Sequence, residues 1–169
     1  MKLSIFISLL LLLSSCWPTK FLSLKDDSMP EEWQSFHIAP LEITSATAPN
    51  NYPAQLAEEL RSGIQKNTRL KMKSTIDAAD VKIYGTISNY STSPIAVQQG
   101  DNASLNRLTI TVNYTIETPT KGLEKITYSS SRFADFDATQ QLSDVESTLL
   151  ESINQQLIQD LISKLQSNW

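Results

Sequence analysis

The 169-residue chain contains one cysteine, Cys16, one histidine, His37, and four glycines. Each scarcity removes a class of chemistry. A lone cysteine cannot build a disulfide framework, so a secreted domain made from this chain must rest on its hydrophobic core. One histidine falls short of the three or four ligands of a zinc centre, and beside Pro40 it reads as structural, so no metal site is expected. With so few glycines there is no Gly-rich phosphate loop, and none of the many serines sits in a Gly-x-Ser-x-Gly elbow. Asp135 and Asp137 could resemble a carboxylate pair, but in a strand-to-turn segment with Arg132 close by, ion pairing and turn capping are the expected roles. No catalytic residue, cofactor or enzymatic activity is therefore expected. Basic excess is missing as well: 14 Lys and Arg face 18 Asp and Glu, a net charge of −4, so the footprint of a nucleic-acid binder is absent.

No apolar run reaches the about 20 residues of a membrane-spanning helix. A shorter one is present at the start. Lys2 precedes an apolar stretch over 3–13, broken only by Ser4 and Ser8, and Leu13-Ser14-Ser15-Cys16 follows. This is the layout of a secretory signal. Leu three residues before Cys, with Ser between, is a lipobox. Residues 1–15 are expected to be cleaved, leaving Cys16 as an N-palmitoyl, S-diacylglycerol cysteine that anchors the mature chain. Two or more acyl chains hold stably where one, at about 0.8 kcal/mol per buried CH₂, does not. The competing reading is an ordinary secretory signal that happens to contain a cysteine. Trp17 stands where inner-membrane retention favours Asp, so outer-membrane sorting is expected. Cleavage removes one base, Lys2, and no acid, moving the net charge from −4 to −5.

The mature chain suits one domain. Residues 16–33, with Pro18, Pro30 and mixed charge, read as the lipidated N-terminus and a flexible tether, and 34–169 as the folded domain. An extended segment at 35–43 contains Pro40, which fits an edge strand. Pro53 opens a helix whose Leu56, Leu60 and Ile64 form one apolar stripe. Strands are expected at 70–74, 81–90, 108–116 and 126–136; Ser93-Pro94 and a polar turn around Gly100-Asp101-Asn102 follow the second of these, and a turn is expected at 119–122. The cleanest is 108–116, where Leu108, Ile110, Val112, Tyr114 and Ile116 alternate with polar residues, the pattern of an antiparallel sheet covered on one side. Ser143-Asp144-Val145-Glu146 reads as a capping box before a long helix striped by Val145, Leu149, Ile153, Leu157, Leu161 and Leu165.

The expected fold is α+β: a two-layer sandwich with two helices on one face of a mostly antiparallel sheet of four to five strands. Its other face, rich in Thr, Ser, Asn, Lys and Tyr, is then uncovered, either solvated or meeting a partner. Lys71, Lys73, Lys82 and Arg107 are candidates for a basic patch facing phosphorylated lipid or a protein partner, against the simpler reading of scattered solvated charges.

Several short blocks together resemble the LptE-type lipopolysaccharide-assembly lipoproteins. They are the lipobox at Cys16, Phe36-His37-Ile38-Ala39-Pro40, Leu56-Ala57-Glu58-Glu59-Leu60-Arg61, Gly85-Thr86-Ile87-Ser88-Asn89-Tyr90, Asn106-Arg107-Leu108-Thr109-Ile110-Thr111-Val112 and Ser131-Arg132-Phe133-Ala134-Asp135-Phe136. The resemblance spans essentially the whole mature chain. It implies an outer-membrane, periplasm-facing lipoprotein that plugs and helps assemble an LptD-like β-barrel, with lipopolysaccharide as a direct ligand in some readings. A generic envelope adaptor of another transporter or barrel-assembly machine is the alternative.

Overall fold

The alternation in 105–117 has a simple physical outcome. Leu108, Ile110, Val112, Tyr114 and Ile116 are all fully buried, while Thr109, Thr111, Asn113 and Thr115 face outward. In the computed structural model, which describes residues 29–95, 104–122 and 124–167, this segment is the middle strand of an antiparallel meander. In chain order the elements are β1 (Ser35–Ile38), β2 (Glu42–Ile43), α1 (Tyr52–Asn67), β3 (Lys71–Met72), β4 (Val81–Ile95), β5 (Leu105–Glu117), β6 (Lys125–Asp137) and α2 (Leu142–Gln166). The expected signal peptide, Cys16, Trp17 and the turn expected at 100–102 lie outside the described residues.

The sheet order is β3-β1-β4-β5-β6, with β2 also paired to β4. The α+β class stands, but the sheet has six strands and is mixed. β4, β5 and β6 are antiparallel, whereas β1 joins β3 and β4 in parallel, as β2 joins β4. Parallel neighbours require a crossover, and α1 supplies the one between β1 and β3. This also corrects the edge expected for 35–43: β1 lies between two strands. Pro40 is tolerated because it falls in the gap between β1 and β2, where no ladder hydrogen bond is asked of it.

β4 also runs past Tyr90, the expected end of the strand, through Ser93 and Pro94, with Pro94 opposite Asn106. Beyond Ile87 the other side of β4 has no strand partner among the described residues, the position at which proline does least harm.

Both helices cover the same face. α2 packs on β6 and β5 and against α1, burying Leu149, Leu150, Ile153, Leu157, Leu161, Ile162 and Leu165. α1 contributes Leu56, Leu60 and Ile64. The two run side by side closely enough that a Cβ on Gly63 would overlap Ile158 Cγ2. One buried polar link joins them: the Tyr52 hydroxyl donates to Asn154 Oδ1 at 2.7 Å, and Asn154 Nδ2 donates to Glu59 at 3.0 Å. The expected capping box does not form. Neither helix has a side-chain N-cap, and the Glu146 carboxylate instead accepts the Tyr90 hydroxyl proton from the sheet below.

Packing begins before residue 34. Met29 and Trp33, inside the segment read as tether, belong to the core, and Trp33 Nε1 donates to Thr120 Oγ1 at 2.7 Å. An indole with a buried body and a satisfied N–H ties the entry of the chain to the β5–β6 turn.

Candidate partner-binding surface

The face opposite the helices is built by the outward set of three long strands. On β5 it presents Arg107, Thr109, Thr111, Asn113, Thr115 and Glu117, and the register sets Asp135, Phe133, Ser131, Ser129, Thr127 and Lys125 of β6 beside them. β4 adds Ser93, Ser91, Asn89, Thr86, Tyr84 and Lys82 on the other side. At about 3.3 Å per residue these strands make a platform of about 40 Å. Its middle is hydroxyls and amides, illustrated by the 2.9 Å bond between Thr111 Oγ1 and Ser131 Oγ.

The two ends differ. At one, Lys82, Glu117 and Lys125 form a row of alternating charge across β4, β5 and β6. At the other, Arg107 makes a two-pronged ion pair with Asp135, at 2.7 and 2.9 Å, and lays its guanidinium 3.6 Å above the centre of the Phe133 ring. The hydrogen bond from Arg107 holds the Asp135 carboxyl below the usual carboxylate range. Phe133, 47% exposed, is with Met72 one of two large apolar side chains left open to solvent among the described residues.

The four basic candidates do not form one patch. Lys71 opposes Ser35, and Lys82 opposes His37. Lys73 follows β3, its carbonyl accepting from His37 Nδ1 at 2.8 Å. These three share one corner of the outer face. Arg107 lies about 33 Å away along β5, given the ten-residue separation from Glu117, which opposes Lys82. Beside the lysine corner, Asp80 accepts from Ser35 Oγ and from the Ser35 and Gln34 amides, which together lower its pKa. The cation expected near Asp135 was Arg132, but Arg132 faces the helix side and pairs with Asp160 of α2. Asp137 caps the following turn through Thr139, as expected.

A scan against known protein families matches residues 34–165 to LptE, lipopolysaccharide-assembly. The chain belongs to the LptE family. No curated protein matches it by sequence. Among solved structures it is similar to a protein from Xanthomonas campestris, at TM-score 0.57 and 10% identity over 84% of this chain and 89% of that one. It is also similar to a minor lipoprotein from Acinetobacter baumannii, at TM-score 0.50 and 13% identity over 80% and 94%. A hypothetical protein from Chlamydia trachomatis aligns at TM-score 0.50 and 10% identity over 79% and 95%. Identities this low carry the fold alone.

For this LptE-family chain, sequence reasoning identified the polar outer face but not the exposed aromatic ring on it. The signal was available: Phe133 occupies the same alternating set as Ser129 and Ser131, so a strand assignment alone sends it outward. Its pairing with Arg107 depends on the β5–β6 register, which local sequence does not fix.

Proposed function

We propose that the chain is a non-enzymatic subunit of the lipopolysaccharide translocon, anchored to the outer membrane through lipidated Cys16 and facing the periplasm. In this reading it plugs and helps assemble an LptD-type β-barrel, meeting the barrel through the outer sheet face. The family match over residues 34–165 is the observation that carries the proposal. The chemistry of the face supports it. The lumen of a large membrane barrel is polar and wet, so a plug gains more from hydroxyl and amide groups than from an apolar patch. Phe133 stacked under Arg107 supplies the kind of aromatic and arginine pair in which interface energy concentrates. The corner holding Lys71, Lys73 and Lys82 is the part of the surface suited to lipopolysaccharide phosphate groups, because Arg107 is already engaged by Asp135.

Affinity purification of the chain from solubilised envelopes tests this. An outer-membrane barrel protein recovered in stable complex is expected, and recovery of soluble periplasmic proteins alone contradicts it. Cys16→Ala tests the anchor separately: the variant should leave the membrane fraction, and continued flotation with lipid contradicts lipidation.

A further inference from the structure

A sheet with open edges must protect them or pair them, because an edge strand presents a row of unsatisfied N–H and C=O groups. Here the protection is uneven. β3 ends one side with only two residues. The stretch of β4 beyond β2 is dressed by the loop after β2: the Thr44 and Ser45 amides donate to Ile87 O, and the Tyr90 amide donates to Ser45 Oγ. Pro94 blunts the same edge further along. Among the described residues, β6 has none of this. It is 13 residues long, contains no proline, and keeps an unbroken register with β5 from Lys125 to Asp137. A charge directed inward from an edge strand is another natural guard, but Arg132, which could serve, is neutralised by Asp160. Between β6 and the C-terminal half of α2 runs a groove of about 560 Å³, floored by Tyr128, Ser130 and Arg132 and walled by Ser163, Lys164 and Ser167.

The hydrogen-bonding parity of β6 is fixed by its two ends. Glu124 O accepts from Thr118 N at 3.1 Å, and Ala138 N donates to Ser104 O at 2.9 Å, so even-numbered residues turn their backbone groups toward β5. Odd-numbered residues, Lys125 to Asp137, turn theirs to the outer edge, which no strand pairs among the described residues. We infer that this edge pairs with the same edge of a second copy of the chain, antiparallel about a two-fold axis at Ser131. That axis joins only odd residues to odd residues, as full backbone pairing requires. It sets Lys125 opposite Asp137 of the second copy at both ends, with Thr127 opposite Asp135. The opposite charges at the two ends of one strand thus complement each other when the strand meets itself, which parallel pairing would not achieve. The even side chains of the incoming strand enter the groove under α2.

The edge and the outer face are different surfaces, so this inference and the barrel reading can fail independently. The test uses the full chain in detergent with Cys16→Ala as background, so that an introduced thiol is the sole one. Ser131→Cys should give a covalent dimer on mild oxidation, because directly opposed antiparallel residues hold Cα atoms about 5.5 Å apart, within disulfide reach. Thr111→Cys, beside Ser131 on the same face but one strand in, should remain monomeric. Ser131→Pro removes a free-edge N–H and the exposed hydroxyl contact with Thr111, and should abolish the dimer peak in sedimentation velocity while circular dichroism stays unchanged. If that variant misfolds, the two cysteine variants still decide. A background chain that sediments as a monomer across the micromolar range, or equal crosslinking from Thr111→Cys, overturns the proposal. So does a Ser131→Cys chain that crosslinks only to a different protein.

Discussion

Asn154 shows how a single residue can matter without chemistry. It lies in the interior of α2 at 0% exposure, accepting from Tyr52 and donating to Glu59. Replacing it with Ala leaves the Tyr52 hydroxyl buried without a partner, at a cost of about 1–3 kcal/mol. In chemical denaturation, Asn154→Ala and Tyr52→Phe should each destabilise, and the double variant should lose less than their sum. Asp160, like Asp80 and Asp135, carries part of the acid sensitivity. Burial raises its pKa, but the bonds from Arg132 and Ser130 lower it by more, so the net shift is downward. A folded-state pKa below the unfolded value of about 3.9 gives stability that is present above that pH and lost as pH falls through the folded value. Thermal melts should show this contribution intact from neutrality to about pH 4 and lost below it. Asp160→Asn should be less stable at pH 7 by about 1 kcal/mol and less acid-sensitive in that window. On the outer face, Phe133→Ala should change stability by less than about 0.5 kcal/mol, because the ring is already half exposed. Its capture of the barrel partner should nonetheless fall at least tenfold, the size of loss expected of an interface anchor at about 1.4 kcal/mol or more.

At the scale of elements, periodicity was legible and pairing was not. The stripes of α1 and α2 and the alternation of β5 follow from residue order, since each is a local consequence of backbone period. The reach of β4 beyond Tyr90 through Pro94 was not legible, because the tolerance of a strand for proline depends on whether its far side is paired, a fact of the sheet rather than of the dipeptide. Ser143 and Glu146 match the capping-box spacing, yet the Tyr90 hydroxyl claims Glu146. A tertiary hydrogen bond outcompeted a local one. The close approach of the helices makes a further prediction. Gly63→Ala should cost about 1–3 kcal/mol through overpacking against Ile158, and Ile158→Ala should recover part of that loss in the same background, read by thermal melting.

For the whole molecule, the two-layer plan was readable because two striped helices and one-sided strands have few other ways to bury their apolar faces. The parallel half of the sheet was not, since two-residue strands such as β2 and β3 leave almost no local signature. The same limit applied to the candidate surface. Its polar character could be read from β5 alone, whereas the separation of Arg107 from Lys71, Lys73 and Lys82 follows from strand order and register. What emerges is a sandwich with one face covered by its own helices and the other uncovered among the described residues. The most direct test places a photoreactive amino acid at Thr111 or Ser129, at the centre of the outer face, in cells carrying the full chain. The account predicts a covalent adduct with an outer-membrane β-barrel protein from both positions. Adducts with soluble proteins alone, or none from this face while positions on α1 capture the barrel, would contradict it.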